Sequence, residues 1–372
     1  MKARRKVLTA LASLTGLAFL AGVFKIFSSG TATEKGSSAM TKFPLDFQWP
    51  VQEPFIFCVH HHDFYPAGNG KFGPQPVLLS GRDIGQDFVE KDGFRMYHGK
   101  EVPGFPVHPH RGFETITIVR KGYVDHADSL GAAGRYGEGD VQWMTAGSGV
   151  QHSEMFPLLK TTEPNTLELF QIWLNLPRKS KLAPAHFTMF WSEKIPQTTT
   201  DSEKVSISVI AGKFEGVKAL APPPDSWASD SANEVNIFLM KFSKDGVVRL
   251  PMSPSHSNLS LYFFDGASLV VNGEALASNT GAILPSDKVT EISSPTGEAQ
   301  VLILQARAIG EPIVQHGPFV MNSREEIAQT IQDYQRTEFG GWPWDRHDMV
   351  HGPVIERFAK YPDGRIEKPE KA

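Results

Sequence analysis

The sequence predicts an all-β protein, with two β-rich units in tandem and a short helix near the C-terminus. Three observations carry that expectation. Runs rich in Val, Ile and Phe recur between turn formers, in a chain holding 33 Gly and 27 Pro, as expected of short strands joined by tight turns. A length of 372 residues with 40% hydrophobic side chains is too long for one ordinary domain and sufficient for two cores. Helix-start signals gather near residue 323, after the strand-like runs end.

At the N-terminus, Lys2, Arg4, Arg5 and Lys6 precede an uncharged run from Val7 to Phe24, and small residues follow. That is the order of an export signal. The run is almost long enough to span a bilayer, so residues 1–32 read as an export signal or a membrane anchor, with residues 7–24 as the attaching stretch. Basic residues ahead of it would place the body outside the cytoplasm, in the periplasm or anchored facing it. Arg4-Arg5-Lys6-Val7-Leu8 looks like a twin-arginine signal, the basic start of a general secretory signal being the equal alternative. Residues 33–42 read as a linker.

The first unit, residues 43–180, has strand candidates at 55–59, 76–79, 115–119, 140–144 and 167–176. The second, residues 181–310, has them at 205–211, 235–242, 259–264, 268–271 and 301–307, with turn signals at Asp245-Gly246, Asp265-Gly266 and Asn272-Gly273. In residues 311–372, Ser323-Arg324-Glu325-Glu326 fits a capping box with Ser323 as N-cap. Ile327, Ile331 and Tyr334 then share one helix face, expected to pack on a sandwich, and an extended tail follows. Cys58 is the single cysteine, so no intrachain disulfide can form. A net charge of −4, with five of the basic residues inside 1–32, argues against a nucleic-acid partner.

The chemistry concentrates between residues 108 and 154. His108 and His110 form one H-x-H pair; His152 and Glu154 form an H-x-E pair on a second β-like segment. Residues i and i+2 of a strand share a face, so each pair projects two ligand-type side chains one way. Should the segments meet in a barrel, three imidazoles and one carboxylate converge. A lone H-x-H more often marks ordinary strand histidines than a metal site; the second pair, about forty residues on and framed like the first by glycine-rich turns, shifts the balance. Between Lys213 and Gly310 the only histidine is His256, so the second unit offers no such site. His60, His61 and His62 could bind a further metal, but consecutive strand residues alternate faces, and a polar loop is the preferred reading. Asp125, His126 and Asp128 read as hairpin-loop residues, and Phe113, Trp143 and Met144 as barrel filling.

His108, His110 and Glu114, followed by a glycine-rich hairpin and a distal His, look like the cupin pattern. HPHRGFET (108–115) and GDVQWMTAGSGVQHSE (139–154) are similar to the pirin family, a bicupin group, and GPFVMNSREEI (317–327) resembles its C-terminal segment. The likeness covers most of residues 43–340. It implies two tandem cupin-type β-sandwich or jelly-roll barrels, with metal only in the first. Carried over, the ligands are His108, His110, His152 and Glu154. In many other cupins the residue at Glu114 is a ligand; Glu154 is preferred because it shares a face with His152. Glu114 would then stand beside the site, holding Arg111 or a ligand imidazole. The stretch 65–100 departs from the compact pirin N-terminus, so the entrance to the site is expected to differ.

The resemblance implies Fe(II), while the same donors accept Mn, Ni, Cu or Zn. It also implies quercetin 2,3-dioxygenase-like chemistry on a small aromatic or enolic substrate with O2, with Glu154 both ligand and base. The alternative is a non-catalytic, metal-dependent regulatory module acting on an unidentified protein partner. A closed metal cavity with exposed apolar patches would favour the module, and an open pocket reaching His108 and His152 the enzyme.

Overall fold

The structure is a computed structural model and describes residues 40–200 and 203–370. The export or anchor segment expected at residues 1–32 lies outside the described residues. Among those described, no helix is long and apolar enough to cross a membrane.

The first unit is a sandwich of two antiparallel sheets. Its strands are β2 (Phe55–Tyr65), β3 (Gly104–His110), β4 (Phe113–Lys121), β5 (Tyr123–Asp128), β6 (Ala133–Gly137), β7 (Val141–Thr145), β8 (Val150–Met155), β9 (Asn165–Asn175) and β10 (His186–Phe190). One sheet runs β10-β7-β4-β9-β2; the other places β6, β5, β8 and β3 side by side, extended beyond β6 by Phe358–Lys360 and Ile366–Glu367. Val119, Met144 and Leu169 of the first sheet pack against Val124, Tyr136 and Val150 of the second. The second unit repeats the plan with a seven-stranded and a four-stranded sheet around Ile207, Met240, Leu261, Leu269 and Ile292. The mostly-β, bicupin-type architecture is therefore present.

The five-stranded sheet is covered on both faces, which explains its composition. Ile116, Ile118 and Trp143, with Phe170 and Ile172, point away from the sandwich interior and join Ile237, Tyr262, Leu302 and Leu304 of the second unit in one core. Their alternate neighbours point inward. Glu114 shares the outward parity: Thr145 Oγ1 donates to it at 2.7 Å, and Ser226 Oγ, from the second unit, at 2.5 Å. Ser226 also caps the short 3-10 turn Trp227–Ser229 by accepting from Ala228 N.

Several elements differ from the expectation. The units exchange strands: Phe43 lies in β1 (Thr41–Pro44), which pairs with Thr280–Leu284 of the second unit, and β10 pairs with β7, so the chain leaves the first unit after Phe190 rather than at 180. Pro76–Leu79 is a 3-10 turn, not a strand, started by Pro76, whose fixed φ suits that position. Asn272-Gly273 closes a two-residue hairpin, both residues with positive φ, whereas Asp265-Gly266 marks a bulged strand end. The helix α1 (Arg324–Thr337) starts as expected, with Ser323 Oγ accepting from Glu326 N, but Glu326 reaches one residue further back than a capping box, to Asn322 N.

Burial pushes the Glu114 carboxyl up to about 7. A folded-state value above the unfolded one means the protonated form stabilises the fold. That contribution is full below about 4.5 and is lost as pH rises through about 7. Glu114→Gln is expected to flatten this loss, so the variant gains on the wild type by up to about 3 kcal/mol between mildly acidic and mildly alkaline pH. Melting temperatures of the two proteins across that range measure it; parallel curves would contradict the assignment.

Candidate metal centre

Strands β3 and β8 pair antiparallel, with His108 directly opposite His152 and His110 opposite Val150. The two-residue repeat brings His108 and His110 to one face, where their ring centroids lie 4.7 Å apart, and the pairing adds His152 at 4.5 Å from His108 and 4.9 Å from His110. One nitrogen of each ring lies within 4.8 Å of the others, the only such group of metal-ligand side chains found among the described residues. Gly112 turns the chain out of β3 at φ 86°, in a place where a Cβ would meet Val320 O at 2.0 Å.

The protonation state suits ligation. His108 Nδ1 donates to Pro106 O at 2.9 Å, which leaves the Nε2 lone pair free. Both nitrogens of His152 and Nδ1 of His110 are buried without a hydrogen-bond partner, an expense native interiors seldom tolerate. Burial holds His108 down to about 4 and His110 and His152 well below their ordinary range. Three neutral imidazoles with unsatisfied nitrogens fit a divalent transition metal.

Glu154 stands beside the triad and contributes no atom to the compact group. Its Oε2 is 3.8 Å from His152 Nε2. Gln171 Nε2 donates to it at 3.3 Å, and Thr117 Oγ1 lies 3.1 Å from its Oε1. Both partners belong to the facing sheet, so the carboxylate is tethered across the sandwich. Burial raises its pKa. Glu114 is nowhere near: its parity turns it to the second unit, and its partners are Thr145 and Ser226 rather than Arg111 or an imidazole.

The outward neighbours of the site residues hold the C-terminal segment. Arg111 donates to Ser148 O, Thr330 Oγ1 and Asp333 Oδ2, and lies over the Phe339 ring. Gln151 donates to Glu338 O and accepts from Tyr334. Asp125, His126 and Asp128 are not in a loop. They lie buried in β5, with Asp125 paired to Arg135 and the His126 ring 5.5 Å from His152. Polar residues at 125, 126 and 128, broken only by Ala127, hid the strand.

The triad opens into a cavity of about 500 Å³, within the usual range for small-ligand sites. His108, His110 and Glu154 form one wall; Phe57, Val59, Leu169 and Trp173 make the facing wall apolar. His152 is fully buried behind it. Phe113 and Met144 fill the interior of the first unit, as expected, whereas Trp143 points out of that barrel into the core shared with the second unit. The stretch before the first motif supplies Gly85, Gln86, Phe88, His98 and Lys100, and the tail adds His347 and Asp348. His60, His61 and His62 are in β2, not a loop. His60 and His62 face one side, and His60 stacks on Phe170; His61 faces the cavity.

Comparison with known proteins agrees with this picture. The Pirin family model matches residues 79–174, and the model of the pirin C-terminal cupin domain matches residues 239–340. A Pseudomonas aeruginosa protein named "Putative quercetin 2,3-dioxygenase" is 40% identical over 290 residues, which span 74% of this chain and 94% of that protein. Mouse pirin is 32% identical over 253 residues, spanning 66% of this chain and 81% of its own length. The crystal structure of quercetin 2,3-dioxygenase from Acinetobacter baumannii superposes with a TM-score of 0.65 at 27% identity, over 81% of this chain and 97% of that one.

Replacing His152, the imidazole opposite His108, is expected to remove bound divalent metal. His152→Ala should hold less than about a tenth of the wild-type content, given the 10- to 100-fold losses that even supporting partners of a metal site cause, whereas Glu114→Gln should keep it. Elemental analysis of purified proteins decides, and loss in Glu114→Gln alone would contradict the geometry.

Proposed function

The chain belongs to the pirin family, and from that premise we propose that it is a metal-dependent dioxygenase acting with O2 on quercetin-like flavonols or related enolic and phenolic ring compounds. The observation that carries the reading is the cavity: His108, His110 and Glu154 are exposed to a space large enough for a flat ring system. A module that only docked a protein partner would have no need of it.

In this reading His108, His110, His152 and Glu154 hold the metal, with Fe(II) the proposed ion. Bound there, a divalent ion would supply Lewis acidity to a substrate hydroxyl and sites for oxygen donors. Three neutral imidazoles and one carboxylate leave a divalent site one charge positive, which favours an anionic oxygen ligand such as an enolate or phenolate. The residues of the chain divide the remaining work. Glu154, steered by Thr117 and Gln171, would take the hydroxyl proton. Trp173, Phe57, Val59 and Leu169 offer flat apolar surface that orients the ring and excludes water. Gln86, Lys100 and His347 are exposed at the mouth, where they meet the substrate first.

The test is direct. Full-length protein loaded anaerobically with Fe(II), then given quercetin and O2, should bleach the flavonol and release one carbon monoxide per ring opened. Glu154→Gln that retains its iron should turn over at least about 100-fold more slowly. Iron-containing wild type that yields neither bleaching nor carbon monoxide would overturn the flavonol reading.

A further inference from the structure

His61 is unexplained by the metal centre. It projects from β2, in the sheet that faces the triad, lines the same cavity, and is 4% exposed. Its Nδ1 lies 2.8 Å from Tyr97 Oη, and Tyr97 Oη donates to Asp63 Oδ2 at 2.5 Å. Asp63, two residues along β2, is fully buried and accepts from Arg95 N at 2.9 Å and from the Arg95 guanidinium at 3.1 Å. The Phe105 ring neighbours both poles of the cavity, 5.8 Å from His61 and 6.3 Å from His108.

Tyr97 reaches this position at a cost. It is a buried residue with φ 56°, in the left-handed region that non-glycine side chains disfavour. Its backbone is held by two hydrogen bonds with Asp87. The conformation delivers the phenol between His61 and Asp63. His61 Nε2 has no partner among the described residues and is the nitrogen left for a ligand.

We propose that His61, Tyr97 and Asp63 form a proton wire that binds a second hydroxyl of the ring substrate and takes its proton. The inference rests on the reading that a hydroxylated ring occupies this cavity, and narrows the substrate to one with two separated acidic hydroxyls. The chain has two consistent arrangements. In the first, Asp63 is a carboxylate, Tyr97 donates to it, and His61 Nδ1–H donates to the Tyr97 oxygen, so that Nε2 presents its lone pair to the cavity. In the second, Asp63 carries the proton and donates to Tyr97, Tyr97 donates to Nδ1, and Nε2 carries hydrogen. Passing from one to the other breaks the substrate O–H bond and forms Nε2–H. The Nδ1 proton moves to the Tyr97 oxygen as the Tyr97 proton moves to Asp63. The substrate gains one negative charge, Asp63 loses one, and no group between them ends charged.

The surroundings agree with that path. Burial pushes His61 down to about 3 and Tyr97 well up, so neither an imidazolium nor a phenolate is favoured along the way. Burial also lifts Asp63, to about 6, against the opposing pull of Tyr97 and Arg95. Beyond these, Tyr65 faces Asp63 and His60 lies behind His61. His98, Lys100, His108, Glu154, His347 and Asp348 are the other titratable groups on the cavity. His61 would touch substrate; Tyr97 and Asp63 act through it.

Quercetin and 3-hydroxyflavone, which has only a single hydroxyl, separate the outcomes. Anaerobic binding to iron-loaded full-length protein is followed by absorption across neutral pH. Wild type is expected to bind quercetin about tenfold more tightly than 3-hydroxyflavone, the worth of one good hydrogen bond. Tyr97→Phe and His61→Gln should lose that preference while keeping their affinity for 3-hydroxyflavone. In Tyr97→Phe, bound quercetin should become its anion, seen as a shift of its absorption band to longer wavelength, about one pH unit higher. If both variants melt near the wild type and keep the preference and the titration, the wire is wrong and the dioxygenase reading stands. Wild type that binds neither flavonol overturns the ring-substrate reading, and the wire with it.

Discussion

A sheet covered on both faces governs this molecule. In the five-stranded sheet of the first unit, one face builds the contact with the second unit and the other builds the cavity. Each strand therefore carries two independent demands in alternate residues. The outward set is apolar around Ile116, Ile118, Phe170 and Ile172, and its buried polar members are hydrogen-bonded, Glu114 to Thr145 and Ser226, and Glu168 to His60. The inward set includes Thr117, Gln171, His61 and Asp63, which lie where little water reaches. Polar groups in such a place must satisfy one another. They do so in two networks, one tethering Glu154 and one running from His61 to Asp63.

The opposite sheet applies the same alternation to a different end. His108, His110, His152 and Glu154 point in; Arg111 and Gln151 point out. Because the outward neighbours hold α1 and the residues after it, the C-terminal segment and the imidazoles share a backbone. The tail continues over the same unit: Val107 N donates to His347 O, His351 meets Asp125 and His126, and Phe358–Lys360 pairs with β6. The segment least regular in sequence thus closes the wall of the cavity and adds His347 and Asp348 to it.

Sequence periodicity was enough for the tandem β units, the helix start and the two histidine pairs, because these depend on local repeats. It failed where an assignment needed a partner from far along the chain. Glu114 follows His108 and His110 at even spacing, yet Gly112 breaks the strand between them and the parity no longer transfers. The His60–His62 run looked like a loop because two of its three histidines face away from the cavity, with His60 packed against Trp49, Phe170 and Phe264. Asp125 and Asp128 looked solvent-bound because their partners, Arg135 and the Trp344 region, come from another strand and from the tail. The tether of Glu154 to Thr117 and Gln171 was invisible for the same reason: it spans two sheets.

The backbone supports assigning work to both walls. A fold that needed residue 97 only as filler could place an apolar ring there without holding it in the left-handed region. Instead, the loop commits Asp87 to both the backbone of Tyr97 and the amide of Met96, and secures Asp87 in turn with Arg82. Strain kept at that expense is informative when it aims a polar atom. Here it aims the Tyr97 oxygen at His61, on the wall facing the triad. If Glu154 and His61 accept protons as proposed, these two groups on facing walls are best matched by a flat substrate carrying a hydroxyl toward each. Such a substrate would be fixed at both ends before O2 arrives, so that orientation and deprotonation are settled by one binding event.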